Sequence, residues 1–287
     1  MKFFDTHVHF FPDKLADKAL PKLREISQCE THSDGTRSGT VKKLRGMGCA
    51  GGMVLHIATN AHQQTSVNNF AKESQHGNLY CFGSVYPYAE NALEEMERIK
   101  EMGLYGIKLH PDYQEFFIGD EGRCPSTPRR RSWGCPSPST PGGSPLSPNL
   151  IHCPADVLGK IADLFPRLTI IAAHMGGMDT PQEAAKHLAG KKNVYFDTAF
   201  ASHFFGRGQL YPAGEAPRGR QGALCHRLPL EHPAGGKGLA GGGGPIPQRE
   251  GAHCVPQRGG AFRRHRLTFF PKAGRIEETT PQRRPAV

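Results

Sequence analysis

Apolar and polar residues alternate in two patterns along roughly the first 120 positions. Leu93, Met96 and Ile99 recur at helical spacing, with Asn91 as the predicted N-cap and Gly103 just past the end of the helix. Short apolar runs, typical of buried strands, cover residues 2–7, 52–58, 79–85 and 106–110. Strands alternating with helices predict βαβ units around a parallel sheet.

The same patterns return after about residue 147. Pro154 is suited to begin a helix, and an apolar run at 168–173 predicts a strand that opens into His174 and two glycines. Thr180 and Glu183 predict a capping box, with Pro181 at the first helical position. Residues 194–197 predict a sixth strand.

Two stretches carry neither pattern. Residues 121–143 are rich in Pro and Arg, and residues 207–287 form a basic tail rich in Gly and Pro. One interpretation is a low-complexity insert and tail. The other is a shifted reading frame over about 121–143 and 209–265. With suitable codons, a one-base slide turns 138–143 into a sequence containing Phe-His-Ala-Gly, and 222–233 into an apolar strand that ends in Asp.

Net charge points first to an anionic partner, because the 287 residues carry a formal charge of +10. Residues 1–120 hold 13 basic and 15 acidic side chains and residues 151–206 hold five of each, so these well-patterned parts sum to −2. The tail lacks interleaved aromatic residues. We therefore expect no nucleic-acid partner, and no membrane partner because long apolar runs are absent from the sequence.

Cysteine usage and the start of the chain bear on the compartment. The eight cysteines form no Cys-x-x-Cys pair, and the first residues do not follow the pattern of a signal peptide. We expect a cytoplasmic protein with reduced thiols.

Histidines at strand ends are the strongest candidates for chemistry. His7 and His9 alternate with Val8 on a predicted strand, so both imidazoles face the same side and are placed to bind one metal ion. His174 ends another strand, where it is a candidate catalytic residue, and Lys108 and His110 are candidate substrate-binding residues. For Lys108, a covalent modification, an ion pair with a carboxylate and a hydrogen-bonded lysine of the barrel interior are left open. For Asp197, the open roles are orienting a ligand, capping a helix and supporting the ligands by hydrogen bonds. The other histidines are expected on the surface or in coil, at positions 32, 56, 62, 76, 152, 187, 203, 226, 232, 253 and 265.

Several of these motifs together resemble the amidohydrolase-related metal-dependent hydrolases, in the branch similar to aminocarboxymuconate-semialdehyde decarboxylase. The matching text is 4–9, 105–111, 147–149, 173–177 and 194–198. The resemblance implies an α/β fold of the TIM (β/α)8 barrel type. It also implies a divalent metal, most often zinc, with His7 and His9 as ligands and His174 as general base or further ligand. The small-molecule substrate would be an amide, ester or lactone hydrolysed by a metal-activated water, with nonoxidative decarboxylation as the alternative and a homodimer as a plausible assembly.

Two elements of the family pattern are missing from the chain as written. These are a histidine on the fifth strand and an aspartate on the eighth, the same two features that the shifted frame supplies. We therefore expect an incomplete barrel over 1–206 followed by the tail 207–287, either as an inactive remnant or as a misread enzyme.

Overall fold

Two three-stranded parallel sheets form the framework of the protein. The computed structural model describes residues 3–27, 30–120, 150–177, 180–197, 199, 223–224 and 230–231. The first sheet has the order β1 (Phe3–Val8), β3 (Cys49–Leu55), β4 (Leu79–Phe82), and the second β5 (Ile170–Ala172), β6 (Val194–Asp197), β7 (Ala223–Leu224). Two-residue strands β2 (Glu30–Thr31) and β8 (Leu230–Glu231) pair antiparallel.

Helices connect the parallel strands, as the alternation of patterns predicts. In the first part of the chain they are α1 (Asp13–Ser27), α2 (Arg37–Gly46), α3 (Gln64–Ser74), α4 (Ala92–Glu101) and the short α5 (Pro111–Gln114). In the second part they are α6 (Ala155–Leu164) and α7 (Pro181–Leu188). None of the helices in the described ranges is both long enough and apolar enough to cross a bilayer.

The predicted strands are confirmed in kind, but several bounds differ. Strand β6 has the predicted limits, and β3 lies three residues earlier than 52–58. The strand predicted at 106–110 is reduced to one parallel bridge between Gly83 and Ile107. The backbone N–H of His110 instead donates to Oε1 of Gln114 at 2.8 Å, because the chain turns into α5 at this point.

Two predicted helix caps differ from the observed ones. Asn91 is the N-cap of α4, but its side chain makes no capping bond and accepts instead from Nε2 of Gln64 at 3.1 Å. Thr180 precedes α7 without a side-chain capping bond, so the predicted capping box is wrong. Its partner Glu183 pairs with Nε2 of His187 one turn later, at 3.2 Å.

The tail contains more structure than the sequence pattern predicts. Strand β7 pairs in parallel with β6, with Phe196 opposite Ala223 and Asp197 opposite Leu224. This correction has a physical reason, since an open strand edge at β6 can pair with any chain that reaches it. A closed barrel is not seen in the described ranges, where the sheets remain two groups of three strands.

Apolar packing joins the two sheets. One buried cluster lies around the first sheet and includes Val8, Val54 and Ile107, and a second packs α6 and α7 on β5 and β6. A third cluster combines Leu55 and Phe82 of the first sheet with Ile171 of the second. The strand ends of both sheets are therefore held close together.

Candidate metal centre

The carboxyl ends of three parallel strands bring the candidate site together. His7 lies near the end of β1, His174 follows β5, and Asp197 is the last residue of β6. The His7 and His174 rings have their centroids 5.1 Å apart, and those of His7 and His9 are 5.0 Å apart. In parallel α/β folds side chains from these ends share one face, which explains why residues distant in sequence meet here.

Asp197 is the fully buried anion of the site. Its Oδ2 accepts from Nδ1 of His7 at 2.7 Å, and its Oδ1 accepts from the backbone N–H groups of His174 at 2.8 Å and Ala199 at 3.0 Å. Burial alone would raise the pKa of Asp197, but the attraction to His7 and these hydrogen bonds hold that pKa well below its usual range. The carboxylate therefore stays ionised.

His174 is held in an unusual backbone conformation. Its φ is 55° and that of Met175 is 57°, the left-handed region that side chains rarely adopt. The hydrogen bond from its N–H to Asp197 and the bond from its Nδ1 to the carbonyl of Ala199, at 2.7 Å, fix this conformation. Such strain persists where the surroundings determine it, and it is concentrated at functional sites.

Burial keeps two of the imidazoles neutral. Burial first, and then the neighbouring His7, lower the pKa of His174 to about 4. The same two causes, followed by Lys108, lower the pKa of His9 well below its ordinary value. Nδ1 of His9 lies 2.7 Å from the carbonyl oxygen of Leu55.

The hydrogen bonds define the tautomer of each ring. A carbonyl oxygen or an ionised carboxylate can only accept, so Nδ1 carries the proton in His7, His9 and His174. Nε2 then has the lone pair in the neutral rings of His9 and His174. Histidines that ligate metals characteristically donate their other ring N–H to a carboxylate or carbonyl in this way.

The donor set fits a divalent metal ion. Ligand atoms of His7, His174 and Asp197 all lie within 4.8 Å of one another. His9 is not a member of that group, although its ring lies next to His7. Neutral imidazole nitrogens with a nearby carboxylate are ligands that zinc prefers. Three hydrogen bonds also engage both oxygens of Asp197.

Lys108 and His110 lie beside this group. The backbone N–H of Lys108 donates to the carbonyl of Gly83 at 2.7 Å, and its side chain is fully buried. Burial, followed by the Lys108 charge and the ring of His174, lowers the pKa of His110 well below its ordinary value. Both predicted substrate-binding residues therefore lie within electrostatic reach of the histidines.

Two histidines expected on the surface or in coil are buried in coil. His56 is 5 % exposed and packs edge-on against the rings of Phe10 and Phe70. His152 is also 5 % exposed, and its Nδ1 lies 2.9 Å from Oδ1 of the buried Asp112. Both lie in irregular backbone, which is one of the two predicted alternatives, but neither lies on the surface. The apolar run before His56 was a usable signal, whereas the contact between Asp112 and His152 depends on tertiary structure.

The comparisons with known proteins bear on the second half of this site. Residues 150–226 match the model of a family described as Amidohydrolase. The matched stretch contains His174 and Asp197, and begins after the segment 121–149. The chain matches none of the curated proteins with which it was compared. The stretch 150–226 is thus similar to the amidohydrolases, a superfamily of generally metal-dependent enzymes, and it supplies two of the three residues grouped at the candidate metal centre.

Proposed function

We propose that this chain is a metal-dependent hydrolase of the amidohydrolase type, acting on an amide, ester or lactone. The observation that carries the proposal is the group formed by His7, His174 and Asp197, whose ligand atoms lie within 4.8 Å of one another. His9 and His174 each direct Nδ1 to a backbone carbonyl, an arrangement that is characteristic of metal-ligating imidazoles. The amidohydrolase match of residues 150–226 supports the same assignment.

Zinc is the ion that this donor set suits best, with His7 and His9 as proposed ligands. When bound, the ion would polarise the substrate carbonyl and lower the pKa of a water molecule. His174 is neutral above about pH 4, so its Nε2 accepts a proton from the attacking water and returns it to the leaving group. Asp197 keeps the His7 ring and the backbone of His174 in position.

Metal content of purified variants tests the assignment. We expect about one equivalent of zinc in the unmodified chain and a loss of most of it in the double variant His7→Ala, His9→Ala. His62→Ala is the matched control, because His62 is exposed and lies outside the site. Unchanged zinc in the double variant, with the folded state verified by circular dichroism, would remove both residues from the centre.

His174→Ala separates the two roles left open for this residue. As a general base, His174 can be removed with little loss of zinc but with a fall in kcat of about 10²-fold or more. A parallel loss of zinc would make it a ligand instead. Release of carbon dioxide without a hydrolysis product would replace hydrolysis by the decarboxylation that resemblance to the decarboxylase-like branch implies.

The proposal extends to the reading frame of the gene. The family pattern calls for a fifth-strand histidine and an eighth-strand aspartate, and a one-base slide can supply both. Sequencing the coding DNA across codons 115–150 and 205–270 tests this directly. If sequencing reveals one-base errors in these regions, the corrected gene encodes a complete enzyme. If the frame is unchanged, the chain has an incomplete ligand set.

A further inference from the structure

The ammonium group of Lys108 is a buried cation that lacks a hydrogen-bond partner among the described residues. The residue is 0 % exposed, and its Nζ is one of six buried side-chain atoms without a partner in that part of the chain. Desolvating a charge costs several kcal/mol unless an opposite charge or a set of hydrogen bonds compensates it. An anion bound next to the ammonium would compensate this cost.

The backbone of Lys108 is held too firmly for the side chain to leave the site easily. Its N–H donates to the carbonyl of Gly83 at 2.7 Å, and its carbonyl accepts from the hydroxyl of Ser84 at 2.9 Å. The neighbouring Ile107 and Leu109 are both 1 % exposed and belong to the core of the first sheet. The fold therefore fixes the backbone from which this buried side chain extends.

The carboxylates nearest to the site are already engaged with other groups. Asp197 accepts from His7 and from the backbone, as described above. Asp112 contacts Nδ1 of the buried His152 at 2.9 Å. Among the described residues, the ion pairs of these carboxylates are with His7 and His152, and Lys108 is in neither. The compensating anion must come from outside the described part of the chain.

His110 supplies a second donor beside the ammonium. Its Nδ1 accepts from the backbone N–H of Tyr113 at 3.4 Å, so in the neutral ring the proton is on Nε2. The ring interacts electrostatically with Lys108, His174 and His9, which places it on the same side of the centre. One ammonium and one imidazole N–H match the two oxygens of a single carboxylate.

We propose that Lys108 and His110 form a subsite for a carboxylate group of the substrate, next to the metal centre. The inference rests on the proposed function and adds the substrate class, an amide, ester or lactone that carries a free carboxylate.

Binding of glutarate to the full chain tests the subsite, with glutaramide as the uncharged probe of the same length. Calorimetric titration should show at least about tenfold tighter binding of glutarate. The substitution Lys108→Gln should abolish this difference, while the surface variant Lys100→Gln should preserve it. Equal binding of the two probes to the unmodified chain would overturn the subsite.

Titrations with and without chelator separate the subsite from the metal. Glutarate binding that survives removal of metal but is lost in Lys108→Gln supports the subsite. Binding that is lost with the metal and retained in Lys108→Gln assigns the carboxylate to the ion and overturns the proposal. A chain that contains no zinc but binds glutarate through Lys108 would refute the proposed hydrolase while leaving the subsite intact.

A second variant, His110→Ala, covers the case in which Lys108→Gln does not fold. Loss of the second donor should reduce the preference for glutarate over glutaramide severalfold, whereas Lys14→Gln, at an exposed position, should leave that preference unchanged. An unchanged preference in His110→Ala would contradict the proposal.

Discussion

Single residues show how far the sequence determines the candidate site. The pair His7 and His9 was recognisable because strand geometry fixes their common direction, and the ring positions agree with that prediction. The partner of His7 was not recognisable, since Asp197 lies 190 positions away and no local pattern connects them. The burial of His56 was not recognisable for a related reason. It depends on the aromatic rings of Phe10, just after β1, and Phe70 of α3, which only the folded chain brings together.

His56 should make stability sensitive to acid. Burial lowers its pKa from 6.5 to about 3, so between these values the unfolded chain binds more protons than the folded one. The contribution of His56 is therefore complete above pH 6.5 and is lost as the pH falls toward 3. Each pH unit in this window lowers the free energy of unfolding by up to about 1.4 kcal/mol. Urea denaturation at several pH values measures it.

The variant His56→Leu isolates this effect. We expect a flatter dependence of unfolding free energy on pH below 6.5, because leucine fills the aromatic surroundings without a titratable group. His62→Leu, at an exposed position, should keep the original slope. Parallel slopes for His56→Leu and the unmodified chain would show that His56 is not the source.

Elements were predicted better than their ends. Strand periodicity located β1 and β6 closely, because buried parallel strands give continuous apolar runs. The ends depend on competing hydrogen bonds. Oε1 of Gln114 accepts a hydrogen bond from the N–H of His110, so the predicted strand at 106–110 is shortened. At the other site, the Thr180 hydroxyl makes no capping bond to α7. Side-chain competition of this kind is set by tertiary contacts and leaves little trace in periodicity.

The turn after β5 depends on glycine at position 176. Its φ is +81°, and an added Cβ would lie 2.8 Å from Cε1 of Phe196 and 3.1 Å from atoms of Ala184 and Leu188. We expect Gly176→Ala to lower the free energy of unfolding by about 1–3 kcal/mol and to displace His174. Thermal unfolding and zinc affinity measure the two effects.

Gly46 provides the matched control for that substitution. It lies at the end of α2 with nothing within 4 Å of an added Cβ. Gly46→Ala should leave stability unchanged or raise it by up to about 1 kcal/mol, because alanine favours the helix. Similar losses in both variants would argue against a special role for the turn at 176.

At the scale of the whole molecule, the α/β class and the division into well-patterned and unpatterned sequence followed from composition and periodicity. The barrel did not follow from composition and periodicity, because its closure requires strands that the written sequence does not encode. The described strands form two three-stranded parallel sheets and one antiparallel pair, and β7 and β8 use segments of the tail that we predicted as coil. Open strand edges explain this use of the tail, since unpaired backbone groups favour any extended partner.

Restoring the alternative frame in both unpatterned segments should change the whole protein. We expect the restored chain to bind zinc at least about tenfold more tightly than the chain as written, because it gains two ligands. Competition with a chromophoric chelator gives the two affinities. A control gene restored only over 209–265 should show an intermediate gain, since it supplies the aspartate without the histidine. Equal affinities in all three chains would contradict the shifted-frame interpretation.

The hydrogen bond between His7 and Asp197 also has a consequence for the order in which the protein folds. It links residues 190 positions apart and closes a loop that contains most of the described structure. Contacts of such sequence separation form late, after local βαβ units have gained their own packing. The centre would then be assembled by the final docking of two prefolded halves. An ion bound there would slow the separation of the halves more than it speeds their docking.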